Sequence, residues 1–501
     1  MSDHDGSIRD TAMERLPTGI SGLDTVLAGG LLRGGIYLVL GRPGTGKTIL
    51  GNHLAYNHAR AGGVALFATI LAETHGRMLG HLRSFGFFDQ ALVARHVHYI
   101  NVFDELHRGG LRSTLDLFRE AVREYRATLL VLDGVALLEA FASSPVDLHL
   151  FVYELQTHLA AVGCTAVLLS NDVDGGSHPL GTHVDGIILL ADDRVQPRRV
   201  RHLEVVKIRG VDYLRGEHEF AITSEGIEVL PRLEATASRT PPPVSPPDRR
   251  LPFGIPGLDA MLQGGLPAGS TTLMIGSPGV GKTTIGLHFI MEGARRGERG
   301  MVISFHEPPG HLLRESTLLV QAVDAHLREQ HVHVLWQLPV ELSADAWSHR
   351  TLAQIDAFRP QRLFIDALSD VERLVHPPER LVPFFTALVH ELRGRHITSI
   401  LAQEAPGLLG IPRDTSTFAI SALVENVILL RSVELDSRLR RLVCIVKCSG
   451  GGQDPAIREL TVRHQGVEVA SPFEGVEALL SGFGHASRSL GRPQRRRGAG
   501  P

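Results

Sequence analysis

Two stretches of this chain carry residues in an order that suits the gripping of a polyphosphate. Gly41-Arg42-Pro43-Gly44-Thr45-Gly46-Lys47-Thr48 and Gly276-Ser277-Pro278-Gly279-Val280-Gly281-Lys282-Thr283 both read G-x-x-x-x-G-K-[ST]. Each follows an apolar run of strand type and precedes a segment of helical periodicity, the setting the pattern requires. The glycines let successive backbone N–H groups turn inward around phosphate oxygens, and the helix N-terminus behind them adds partial positive charge. Lys47 and Lys282 then suit the β- and γ-phosphates, and Thr48 and Thr283 suit Mg²⁺. Of the 51 basic residues only Lys47, Lys207, Lys282 and Lys447 are lysines, the rest arginines. A lysine is a compact point charge on a flexible stem, fitted to one phosphate group in a confined loop. These residues predict ATP and Mg²⁺ as ligands of two sites.

Such a metal needs a carboxylate near the loop. Asp133 closes the apolar run Leu129-Leu-Val-Leu132, and Asp366 closes Leu363-Phe-Ile365. At a strand end beside a phosphate loop, either can hold the metal's water shell. The elements that must position these groups alternate: apolar runs at 36–40, 65–68, 128–132 and 166–169 are separated by helical segments, which predicts a mostly parallel sheet covered on both faces. The stretches 202–208 and 217–222 read as strands of an added antiparallel section. The whole pattern occurs twice. Gly19-Ile-Ser-Gly-Leu-Asp24 is answered by Gly254-Ile-Pro-Gly-Leu-Asp259, and Lys47 by Lys282, at the same offset of 235 residues. The expected organisation is a flexible N-terminus (1–15), a first domain (16–235), a proline-rich linker (236–250), a second domain (251–481) and a disordered basic tail (482–501).

Composition sets limits. The 501 residues are 43% hydrophobic, enough for more than one core, and the formal charge of −3 argues against a surface built for nucleic acid. The polar start and the lack of a long apolar run predict a cytoplasmic protein without membrane contact. Three cysteines make neither a disulfide framework nor a zinc site. His96-Val-His98 and His331-Val-His333 recur at the repeat offset and are read as packing residues. Arg198-Arg-Val-Arg201 and Arg438-Leu-Arg-Arg441 are read as solvated basic edges in hairpin turns.

The duplicated landmarks, with Leu82-Arg-Ser-Phe-Gly86, Leu203-Glu-Val-Val-Lys-Ile-Arg-Gly210 and Gly216-Glu-His-Glu-Phe-Ala-Ile-Thr223, resemble the KaiC-like family of the RecA superfamily, whose namesake is a circadian-clock ATPase and autokinase. The resemblance implies an α/β chain of two tandem RecA-like P-loop NTPase domains, each a mostly parallel sheet with helices on both faces and an antiparallel extension. It implies a homohexameric ring that hydrolyses ATP at its seams to drive a conformational or signalling switch, acting on a protein partner the sequence does not name. In that family a Lys-x-Arg strand reaches the neighbour's nucleotide. Lys207 and Arg209 match it and, two apart, point the same way. In the second copy Lys447 is kept but Ser449 stands in place of the arginine. Loss of such an arginine costs roughly 10³ to 10⁵ in rate, so the second site is expected to bind ATP better than it hydrolyses it. Of the family's paired glutamates each copy keeps one, Glu73 after Ala72 and Glu307 after His306, as general bases. The family's phosphorylated pair falls at Ser421-Ala422, leaving Ser421 as a possible phosphosite. A serine/threonine (auto)kinase is the alternative reading, and a RecA-type recombinase or helicase the next.

Overall fold

The computed structural model of the chain describes residues 14–70, 75–171, 178–195, 198–237, 249–312, 331–405, 420–435, 438–449, 452–463, 466–472, 476–477 and 485–486. The chain divides into two compact units, one ending at Thr236 and the other beginning at Ala237. Most of the proline-rich spacer and basic tail lie outside the described residues.

In the first unit a nine-stranded sheet is built from β1 (Ile36–Gly41), β2 (Ala65–Thr69), β3 (Val97–Asn101), β4 (Leu129–Asp133), β5 (Thr165–Ser170), β6 (Gly186–Val195), β7 (Arg198–Ile208), β8 (Glu217–Thr223) and β9 (Gly226–Leu230). Their spatial order is β9-β8-β7-β6-β1-β5-β4-β2-β3. From β6 to β3 neighbouring strands run parallel, whereas β6 to β9 pair antiparallel. The parallel strands β1, β2, β4 and β5 are buried at every residue, as their unbroken apolar runs demand when helices cover both faces. The second unit repeats the plan with β10 (Thr271–Gly276), β11 (Gly300–Ser304), β12 (Val332–Trp336), β13 (Arg362–Asp366), β14 (Thr398–Glu404), β15 (Asn426–Leu435), β16 (Arg438–Lys447), β17 (Arg458–Arg463) and β18 (Gly466–Pro472). Its order, β12-β11-β13-β14-β10-β15-β16-β17-β18, matches the first strand for strand. The α/β reading with an antiparallel extension therefore holds in both units.

Helix α1 (Lys47–Arg60) leaves the first phosphate loop, and α2 (Lys282–Arg295) leaves the second. Their packing fixes where the loops sit. A Cβ on Gly51 would meet Val131 Cγ1 at 2.9 Å, and one on Gly286 would meet the Phe364 ring at 2.3 Å. Both glycines let the helix lie directly on the strand that ends in the aspartate.

The register between β6 and β7 slips by one between Ile187 and Ile188, and that between β15 and β16 slips between Val427 and Ile428. Val206 and Val446 are the extra residues, and both are exposed. The basic clusters assigned to hairpin turns lie instead on the strands, since β7 begins at Arg198 and β16 at Arg438; the flanking ladder pairing extends through them.

Candidate functional site

Each loop folds as its glycines permit. Gly46 and Gly281, the residues just before the two helices, have φ of 109° and 107°, a left-handed conformation that suits glycine. Lys47 Nζ donates to the carbonyls of Gly41 (2.8 Å) and Arg42 (2.9 Å), and Lys282 Nζ to those of Gly276 (2.8 Å) and Ser277 (3.0 Å). Both ammonium groups are thus bent back over the loop they must serve. Thr45 Oγ1 braces the first loop through the Arg42 carbonyl at 2.9 Å, while the hydrophobic Val280, its counterpart, is fully buried. Burial pulls the Lys47 ammonium below its usual range against the opposing charge of Asp133. Lys282 is lowered likewise, with Glu404 and then Asp366 opposing.

The threonine and aspartate meet in both units. Thr48 Oγ1 donates to Asp133 Oδ2 at 2.7 Å, and Thr283 Oγ1 to Asp366 Oδ2 at 2.7 Å. A hydroxyl and a carboxylate converging beside a phosphate loop are hard oxygen donors that could hold Mg²⁺ or its water shell. Burial raises the Asp366 carboxyl above its usual range; the Thr283 hydrogen bond and Lys282 oppose this. Among the described residues no three His, Cys, Asp or Glu side chains are grouped as a metal cage. A magnesium carried largely by phosphates needs none.

The second site opens into a cavity of about 340 Å³, lined by Pro278, Gly279, Gly281, Lys282, Thr283 and Thr284 of the loop and helix, and by Glu307, Asp366, Glu404, Arg441 and Val462. Glu307 lines the same cavity as the loop. Glu73 falls in 71–74, outside the described residues. Sequence reasoning missed Glu404 and set Arg441 aside. A usable signal existed for the arginine: Arg201 and Arg441 each stand six residues before a retained lysine, Lys207 and Lys447.

Lys207 and Arg209 converge, though not on one strand. β7 ends at Ile208, so Arg209 sits just beyond it in a turn, and β16 ends at Lys447, before Ser449. The alternation argument for the pair therefore stops short of Arg209. Lys207 Nζ donates to the Gly181 (2.9 Å) and Val184 (3.0 Å) carbonyls, and Arg209 donates to that of Thr182. Lys447 donates to the carbonyls of Val424 and Ser421, which places Ser421 beside it, while the Ser449 N–H donates to Asn426 Oδ1 at 3.2 Å. Lys447 does not line the cavity of its own unit.

Two of the recurring histidines pack on aromatic rings. His98 stacks on Tyr125 with ring centroids 4.1 Å apart, and His333 lies against Phe358 at 5.4 Å. Among the described residues no helix is long and apolar enough to cross a membrane.

Comparison with known proteins agrees with this geometry. A family model described as "ATPase: KaiC" matches residues 16–234 and again 251–474. The chain is 26% identical over 498 residues to the circadian clock oscillator protein KaiC of Picosynechococcus sp., covering 96% of this chain and 94% of that one. It is 27% identical over 491 residues to the circadian clock protein KaiC3 of Synechocystis sp., with 94% of each covered. Against the KaiC of Synechococcus elongatus it is 26% identical over 501 residues, 96% of this chain and 94% of the relative.

Proposed function

Because the chain belongs to the KaiC family of ATPases, matched in both units, we propose that it binds MgATP on both phosphate loops and hydrolyses it chiefly on the first. The observation that carries this reading is the repeated constellation of a bent-back lysine and a threonine donating to a strand-end aspartate at 2.7 Å in each unit. Lys47 and Lys282 neutralise the β- and γ-phosphates, and Thr48 with Asp133, and Thr283 with Asp366, hold the metal. Glu73 and Glu307 orient the attacking water. Lys207 and Arg209 serve the nucleotide of a neighbouring subunit in a closed ring of six, where a heterologous interface buries them at each seam. Lys447 does the same without an arginine beside it, so the second site retains ATP more than it consumes it. The ring works in the cytoplasm and reports its nucleotide state to a protein partner. Native mass spectrometry of the full chain with MgATP tests the proposal: subunits in sixes with both loops filled support it, and a monomer at all nucleotide levels refutes it.

One observation favours a second activity. Ser421 lies beside Lys447, the lysine assigned to a neighbour's nucleotide. Transfer of a γ-phosphoryl group to its hydroxyl is then a competing fate of the same ATP. Mass spectrometry after incubation with MgATP decides it, since an unmodified Ser421 with ATP bound leaves hydrolysis alone.

A further inference from the structure

The two phosphate-loop sites differ at one strand tip. β14 sets Gln403 opposite Ile275 and Glu404 opposite Gly276, the first residue of the second loop. In the first unit Ser170 stands opposite Leu40 and is followed by Asn171. The strand that ends in Glu404 lies between the loop strand and the strand of Asp366, whose partner is Ala402, two residues earlier. Glu404 therefore emerges between the lysine and the metal-side aspartate, and it lines the same cavity. Its charge acts on the Lys282 ammonium more strongly than that of Asp366 does.

The second cavity consequently gathers three carboxylates, Glu307, Asp366 and Glu404, against two cations, Lys282 and Arg441. A triphosphate entering it without a metal brings its own negative charge against them. Mg²⁺ bound with the nucleotide would reverse the sign: the carboxylates would face a neutralised phosphate end and could accept hydrogen bonds from the metal's waters. The first site has a neutral amide where the second has this carboxylate. We propose, on the reading above that both loops take ATP, that Glu404 makes nucleotide binding at the second site more dependent on a divalent cation than binding at the first, which tolerates loss of the metal better. One full charge removed from beside the γ-phosphate, in a cleft between protein and water in polarity, corresponds to about a tenfold change in metal-free affinity.

The experiment uses the full chain with Lys47→Ala, so that only the second loop reports, and titrates ATP calorimetrically with magnesium and then with EDTA. The ratio of the two affinities is the readout, since a merely structural role for Glu404 would weaken both alike. Glu404→Gln should lower that ratio about tenfold. In the reciprocal chain, Lys282→Ala with Asn171→Glu, the ratio at the first loop should rise by a similar factor. Asn171 is exposed, so this arm decides should Glu404→Gln fail to fold. An unchanged ratio in either folded variant overturns the proposal. Absence of ATP binding by the Lys47→Ala chain even with magnesium is a different failure: it refutes the nucleotide reading of the second loop, and this inference with it.

Discussion

Replacing Lys47 by alanine should abolish nearly all ATP turnover, while the same change at Lys282 should leave most of it. The two loops are equivalent in lysine, threonine and aspartate, so the proposed asymmetry in rate is assigned to what a neighbouring subunit brings to each nucleotide. Arg209 supplies a guanidinium beside Lys207, and Ser449 supplies none beside Lys447. A guanidinium about 4 Å from a transferring phosphoryl oxygen contributes about 4 kcal/mol at the effective dielectric of a protein-lined seam, and about 1 kcal/mol in open water. The first figure is close to a thousandfold in rate and the second about fivefold. The Arg209 side chain is 51% exposed in the single chain, so the larger figure applies only when a neighbouring subunit covers it. The assay is steady-state phosphate release at saturating MgATP for the parent, each single variant and the double variant as blank, with ATP binding measured alongside to separate lost chemistry from lost folding. Turnover of Lys47→Ala near one thousandth of the parent supports a closed seam that favours the first site, and near one fifth indicates that the seam stays open. Retention of half or more refutes the assignment of Arg209.

Other expectations follow from particular contacts. Arg441→Ala in the Lys47→Ala background should weaken ATP binding at the second loop by about ten- to a hundredfold, one charge-assisted contact's worth; calorimetry reads it, and an unchanged affinity removes Arg441 from the site. Gly286→Ala drives a methyl into the Phe364 ring and should destabilise the second unit by about 1 to 3 kcal/mol, seen as a lowered melting transition, whereas an unshifted one would mean that the helix is not held against β13. Burial pushes His53 and His58 down to about 4. Both are neutral in the folded first unit, so the stability this provides is full above their ordinary value of about 6.5 and drains as pH falls from there toward 4. Thermal melts between about pH 7 and pH 5 should therefore fall more steeply for the parent than for a His53→Gln, His58→Gln double variant; parallel slopes would show that these two imidazoles do not govern acid lability.

The parts of the molecule set by adjacent residues were legible in the sequence. The phosphate loops are written in eight consecutive residues each, and the apolar runs that end in Asp133 and Asp366 announce buried parallel strands with a carboxylate at the tip. The duplication then assigned one architecture to both units. Parts that depend on strand order were not legible. Glu404 is over a hundred residues from Lys282 in sequence, and only the placement of β14 between β10 and β13 makes them neighbours. Arg441 was misplaced because a cluster of arginines near a predicted hairpin looks the same whether it belongs to the turn or to the ladder. The position of Arg209 was misjudged because a strand's end is fixed by lost pairing partners, which no local pattern records.

The slipped registers at Val206 and Val446 have a consequence for how one strand is shared. Side chains alternate between the faces of a strand, so Arg441 and Lys447, six apart, would lie on one side were the ladder unbroken. The inserted valine changes that parity. Val443, Ile445 and Cys448 all join the core beneath the phosphate-loop helix, which turns Arg441 toward its own cavity and Lys447 to the opposite side, onto the carbonyls of Ser421 and Val424. Val205 and Ile208 flank Val206 in the same core-facing way. A single additional backbone unit thus turns Arg441 toward the phosphate loop of its own chain and Lys447 away from it, the division that the ring proposed above calls for. Excising Val446 would return Lys447 to the side of Arg441 and, on the proposed reading, remove it from the neighbouring subunit's nucleotide.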